Sequence, residues 1–271
     1  MCIRDSNRVP ISARPISVPT MLEFIAARRS ASFLQTPAWA RVKSEWRGER
    51  IGFYDGDQLT GVGLILYRKL PKLPRYLAYL PEGPVLDWSR DDIDEHFDAL
   101  VAHVKKRQAF AVRVGPAVVH RMWGTKTIKT AIADDNVTSL TEVAPDAITP
   151  EGERVVSVLK RGGWITDNTG QGFAAGQPQF NFQLSLRHED GTQKSEDELL
   201  KGMNQLWRRN IKKAAKLGVE VKLGTREDLA RFHQVYLETA KRDGFTGRPL
   251  EYFEHMWDVL NAEEELSLIH I

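Results

Sequence analysis

Cysteine is nearly absent: Cys2 is the one cysteine in 271 residues. A disulfide framework and a cysteine-based zinc site are therefore excluded. Cys2 also lies in a terminal hexapeptide that is set aside below, which removes a cysteine nucleophile. Long apolar runs are missing too. No stretch approaches the roughly 18 consecutive apolar residues of a membrane-spanning helix. Charge of one sign is not in excess, and a net charge of +2 is too small to imply a partner. No Walker loop, metal-ligand motif or Ser-His-Asp order occurs, so neither a metal nor a cofactor is expected. What is present has the balance of a globular chain, with 42% hydrophobic and 27% charged residues. Its length suits one large domain or two small ones.

The two ends read as foreign. Met1-Cys2-Ile3-Arg4-Asp5-Ser6 back-translates as ATG TGT ATA AGA GAC AG plus one base. Leu266-Ser267-Leu268-Ile269-His270-Ile271 back-translates as CTG TCT CTT ATA CAC ATC. The two strings are reverse complements over their shared stretch and resemble a transposon end used in sequencing libraries. Residues 1–6 and 266–271 are therefore read as translated adapter and left out of fold reasoning. The expectation is a segment cut at both ends.

The rest reads as two related halves, residues 7–150 and 151–265. The first opens with an extended stretch, Val9 to Val18, then a helix over Thr20 to Arg29. Thr36 is a good N-cap, with Pro37 at the first helical position. Trp39, Val42 and Trp46 then share a helix face. Arg50–Tyr54 and Leu59–Tyr67, joined by Asp55-Gly56-Asp57, predict a hairpin. Tyr76–Tyr79 predicts a strand, Asp91–Lys106 a helix and Ala109–Val114 a buried strand. Thr138–Pro150 is a polar connector. In the second half, Gln171–Pro178 is a Gly-rich loop, and the alternation of Phe180, Phe182, Leu184 and Leu186 predicts a strand. Val219–Leu223 then predicts a strand, and Arg226–Arg242 and Pro249–Leu260 two helices. A strand and two helices repeat the order of the first half, but no hairpin follows. The last two helices should therefore expose apolar side chains.

The window Ser195–Lys216 predicts one helix opened by a Ser195/Glu198 capping box. At 3.6 residues per turn, Leu200, Met203, Trp207, Ile211 and Ala214 share a face. Arg208, Arg209, Lys212, Lys213 and Lys216 lie opposite. The basic stripe is either a solvated face or a surface for phosphates of RNA or of a lipid headgroup.

Four segments, in order, resemble the Fem family of peptidoglycan bridge aminoacyltransferases, in an actinobacterial style. Ser32-Phe33-Leu34-Gln35-Thr36-Pro37-Ala38-Trp39-Ala40-Arg41-Val42-Lys43 is similar to its opening motif. Tyr79-Leu80-Pro81-Glu82-Gly83-Pro84-Val85-Leu86-Asp87 is similar to its "Y-x-P-R-G-P-V" stretch, with Glu82 where many members have arginine. Arg208, Asn210-Ile211, Lys212-Lys213-Ala214, Lys216 and Gly218 resemble its "R-x-N-I-R-K-A-x-K-x-G" helix. Glu238–Phe245 resembles its "T-A-x-R-D-G-F" segment. A second departure is Gly115-Pro116, where many members have an acid before the proline.

The resemblance implies an α/β fold of tandem acetyltransferase-like domains, mixed sheets flanked by helices, the second incomplete here. It implies transfer of an amino acid from aminoacyl-tRNA to a stem-peptide amine of a nucleotide- or lipid-linked muropeptide. The work would be done in the cytoplasm, at the inner face of the membrane. Lys43 and Arg242 match positions that hold the precursor's phosphates. Read by spacing alone, Lys43 is a solvated helix lysine and Arg242 a cation at a helix C-terminus. Arg208, Arg209, Lys212, Lys213 and Lys216 would meet tRNA or lipid phosphate. Asp87 and Asp243 are candidate bases that could equally cap turns. Two other readings stand beside this one. An acyl-CoA N-acyltransferase needs a Gly-rich pyrophosphate loop at a helix start, and Arg161-Gly162-Gly163 comes nearest. A non-catalytic RNA- or membrane-binding module would use the basic helix alone.

Overall fold

The structure, a computed structural model, describes residues 9–28, 30–166 and 177–262, with the backbone of 269–270. It divides into two units, Met1–Gln177 and Pro178–Ile271. That division falls later than the boundary expected at residue 150.

The first unit is built on one mixed sheet. β1 (Ser12–Pro15), β2 (Arg47–Asp55), β3 (Gln58–Lys69), β4 (Tyr76–Leu80) and β6 (Ala109–Val114) lie in that order, and the short β5 (Val85–Leu86) pairs with β3. All neighbours are antiparallel except β4 and β6, which are parallel. The expected hairpin is β2–β3. Asp55 pairs with Gln58, and Gly56 takes φ +59 in the two-residue turn, a conformation glycine adopts without steric cost. β3 is buried from Thr60 to Tyr67, because helices cover both of its faces.

Residue alternation sorts the two faces. Ile65, Tyr67, Ala78 and Leu80 join a core with Ile93, Phe97, Leu100 and Val104 of α3 (Ile93–Lys106). On the other face, α1 (Val18–Ala26) and α2 (Pro37–Val42) pack on β2 and β3 through buried Met21, Ala38, Trp39 and Val42. The approach is close: a Cβ on Gly48 would come within 2.8 Å of the Ala40 methyl. α2 ends at Val42, so Trp46 lies beyond the helix rather than on its face. β6 forms as expected but is half-exposed, with Phe110 54% exposed. It carries a partner on one side among the described residues, which corrects its reading as a buried strand.

Further short elements and a helix complete the unit. β7 (Arg121–Met122) and β8 (Ala147–Ile148) pair around α4 (Thr125–Ile132). α5 (Pro150–Arg161) packs on α3, with Val158 in the core and Trp164 against Phe97 at 5.3 Å between ring centres. That packing is why the unit runs past residue 150. Most of the expected Gln171–Pro178 loop lies outside the described residues, as does Arg29.

The second unit departs more from expectation. Phe180–Leu186 forms no strand, and Phe182 is 87% exposed. The Ser195–Lys216 window is two helices, α6 (Glu196–Gly202) and α7 (Gln205–Lys216). The Ser195/Glu198 capping box is present on α6. Asn204 breaks the run by capping α7, its Oδ1 accepting from the Trp207 amide at 2.9 Å. β9 (Lys222–Leu223) pairs with β10 (Ile269–His270), so residues set aside as adapter take part in a strand pairing. α8 (Leu229–Asp243) and α9 (Leu250–Asn261) pack on each other through Phe232, Tyr236 and Phe253. Arg226 clamps Asp258 of α9 at 2.7 and 3.1 Å. On α8, Val235 and Leu237 are exposed, whereas Leu260 of α9 is buried. In this unit Leu229, Ala240 and Leu260 are the buried hydrophobic residues among those described.

Candidate substrate-binding site

Two of the four sequence segments meet in the first unit. Gln35, fully buried, joins them. Its Nε2 donates to the Pro81 carbonyl at 2.6 Å, and its Oε1 accepts from the Leu64 amide at 2.9 Å. One side-chain amide thus ties the turn before α2 to β3 and to the loop after β4. A Cβ on Gly83 would overlap that amide, so the loop needs glycine there. The Thr36 side chain makes no cap hydrogen bond on α2; its hydroxyl donates to the Phe33 carbonyl at 2.7 Å and shapes the turn that delivers Gln35.

The segments it joins, and the strands beside them, carry paired aromatic and charged side chains. Lys43 ends α2 with its Nζ 5.2 Å from the Trp39 ring centre. Trp46 lies 6.3 Å from Tyr79, and Arg68 sits over Trp46 at 5.7 Å. Cations over aromatic faces are held by the ring quadrupole. Tyr79 pairs with Leu66 on one side and Arg113 on the other. Burial pushes its hydroxyl pKa up, Arg113 opposes that and Glu82 adds to it. None of Gln35, Gly83, Trp46 or Tyr79 was singled out from the sequence for a role. The Pro81–Pro84 cluster signals a turn; nothing marks Gln35.

Arg242 belongs to the second unit, in the last turn of α8. It is exposed and holds Asp243 through Nε at 2.8 Å and Nη2 at 3.1 Å. That pairing raises the Arg242 pKa and lowers that of Asp243. Asp243 is therefore a held anion rather than a ready base. Asp87 is held too, by the Ser89 hydroxyl at 2.6 Å and the Ser89 amide at 3.0 Å, which keep it below the usual carboxylate range. It caps a turn. Arg208, Arg209, Lys212, Lys213 and Lys216 all lie on α7, where Arg208 donates to the Lys201 carbonyl at 3.3 Å. The apolar face opposite does not pack: Trp207 and Ile211 are 53% and 44% exposed. Among the described residues no group of His, Cys, Asp and Glu is placed to hold a metal ion. No described helix is long and apolar enough to cross a membrane.

The FemAB family profile matches residues 16–271, across both units. The chain belongs to the FemAB family. A lipid II:glycine glycyltransferase of Staphylococcus epidermidis is 26% identical over 247 residues, 90% of this chain and 52% of that protein. One from Staphylococcus aureus is 25% identical over 248 residues, 90% of this chain and 51% of that protein. The chain thus spans about half the length of the curated relatives it matches. The crystal structure of FemX superposes with a TM-score of 0.65 at 24% identity, covering 95% of this chain and 57% of that one. It shares the mixed α/β fold.

Proposed function

We propose that this FemAB chain serves aminoacyl transfer from aminoacyl-tRNA to a stem-peptide amine of a lipid- or nucleotide-linked peptidoglycan precursor, at the cytoplasmic face of the membrane. The observation that carries the reading is the family match over both units, with glycyltransferases acting on lipid II as relatives. The chemistry asks little of the protein. The amine nitrogen attacks the ester carbonyl, the tetrahedral adduct collapses, and the ribose hydroxyl leaves with the proton the amine gives up. Positioning and support for the oxyanion supply most of such a rate. Lys43 and Arg242 are assigned to the precursor's phosphates, and the α7 cations to tRNA or lipid phosphate. The tandem halves are read as acetyltransferase-like domains.

Glycyl transfer from charged tRNA to purified lipid II, followed by mass spectrometry, tests the reading. Lys43→Ala and Arg242→Ala should each raise KM for lipid II about tenfold or more, the scale of a lost charge-assisted contact. Arg242→Lys should also weaken binding, because a point charge cannot replace a bidentate fork. Unchanged KM in all three variants would reject the phosphate assignment.

A further inference from the structure

α7 presents two opposed surfaces, and no residue of the helix is buried. Its 12 residues include five cations and no acid. Arg209, Lys212, Lys213 and Lys216 are exposed, and among the described residues none of them makes an ion pair. On the other side Trp207 and Ile211 stand open to solvent. The helix ends at Gly218, left-handed with φ +73, and the Val219 amide donates to the Ala214 carbonyl at 3.1 Å. That closing turn returns the chain to the helix and sets Val219 beside Ala214. Trp207, Ile211, Ala214 and Val219 thus form an apolar row along the helix. Single exposed apolar side chains are ordinary on a folded protein. A row of them, backed by an unpaired basic stripe, calls for a partner that takes both.

The two surfaces together decide which partner. RNA held by the cations would lie on the side away from Trp207 and leave the apolar row in water. A protein partner on the row would leave the cations unmatched. The interface of an anionic bilayer uses both at once. A helix lying flat there sinks its apolar side to the acyl boundary, while long Lys and Arg side chains reach the headgroups. Tryptophan is favoured at that depth. The length agrees. Twelve residues make about 18 Å of helix, too short to cross the roughly 30 Å hydrocarbon core.

We propose that α7 is a membrane-surface anchor: it lies in the interface of an anionic bilayer, with Trp207, Ile211 and Val219 at the acyl boundary and its cations on headgroup phosphates. The inference deepens the functional reading by committing the α7 cations to lipid, and it rests on that reading for a precursor held in a membrane.

The test is co-sedimentation of the full 271-residue chain with vesicles. Mixed phosphatidylglycerol and phosphatidylcholine vesicles should bind it about tenfold or more tighter than phosphatidylcholine alone, since each cation near an anionic surface is worth about fivefold. Lys212→Glu with Lys213→Glu should erase that preference. Ile211→Ser should weaken binding about tenfold, the scale of one lost apolar side chain, with an unchanged circular dichroism spectrum. Acyl-brominated phosphatidylcholine in the mixed vesicles should quench tryptophan fluorescence. Trp207→Phe should remove that quenching and keep the binding. No binding to anionic vesicles, binding that survives Ile211→Ser, or quenching that survives Trp207→Phe would overturn the proposal. So would binding of tRNA without binding of vesicles, which marks an RNA surface. A dimer weakened by Ile211→Ser, again without vesicle binding, marks a contact between copies and overturns it too. Glycyl transfer to detergent-dispersed lipid II reads the function separately. Transfer without vesicle binding removes this inference and leaves the function. Vesicle binding that depends on Trp207 and Ile211, without transfer, does the reverse.

Discussion

At the scale of single residues, the site depends on one buried amide and two backbone positions. Gln35 has no room to yield to a neighbour, because both ends of its amide are bonded. Gly83→Ala should therefore cost about 2 kcal/mol, typical of overpacking a fixed core. Urea unfolding would show it, and a wild-type midpoint would mean that the loop rearranges freely. Glu82 has φ +48, so Glu82→Gly should act in the opposite direction. It removes the penalty of a left-handed side chain, about 1 kcal/mol, so the melting temperature should rise. A fall in Tm would show that Glu82 makes contacts that stabilise the fold. These residues explain what was legible in the sequence. Lys43 and the segments around Gln35 and Gly83 could be found by pattern. The hydrogen bonds joining them could not, because Gln35 meets Pro81 across 46 positions of chain. Glu82 stood out as a departure from a motif, but its φ is a property of the folded turn.

At the scale of elements, local signals succeeded where chemistry is local. The β2–β3 hairpin, α3 and the Ser195 capping box are set by turn residues, periodicity and caps within a few positions. Readings failed where two local signals competed or where a partner decides. Helical periodicity runs through Met203, yet Gly202 weakens the helix and Asn204 caps a new one. The alternation of Phe180–Leu186 needs a neighbouring strand to become one, and none pairs with it among the described residues. α7 keeps its basic stripe on exposed positions, with Arg209, Lys212, Lys213 and Lys216 all open to solvent. If that stripe meets RNA phosphates, affinity for tRNA should fall steeply with salt through counterion release. Lys212→Glu with Lys213→Glu should weaken binding and flatten the salt slope while leaving the circular dichroism spectrum unchanged. A salt-independent affinity, or an unfolded double variant, would show that the stripe supports structure instead.

At the scale of the whole molecule, the closed core belongs to the first unit, and it contains titratable groups that set its response to acid. Glu49 of β2 accepts from the Tyr67 hydroxyl at 2.8 Å and from Arg107 at 2.7 and 3.0 Å, and His103 Nε2 lies 3.2 Å away. Burial alone would raise its pKa. The contacts with His103, Arg107 and Tyr67 outweigh that and lower it from 4.5 to about 2. His96, 1% exposed between Thr60 and the Asp92 carbonyl, is moved below its ordinary 6.5, chiefly by burial. Both folded values lie under the unfolded ones. In each window the unfolded chain binds more protons, so stability falls as pH drops. The His96 contribution is full above about 6.5 and declines below it. The Glu49 contribution is full above about 4.5 and is lost toward about 2, worth on the order of 3 kcal/mol at 1.36 kcal/mol per pKa unit. Urea midpoints measured across pH should therefore show two acid arms. His96→Gln should flatten the arm that begins near 6.5, and Glu49→Gln the arm below about 4.5, each leaving the other in place. A single arm untouched by either variant would mean that exposed carboxylates, rather than this core, govern the acid transition.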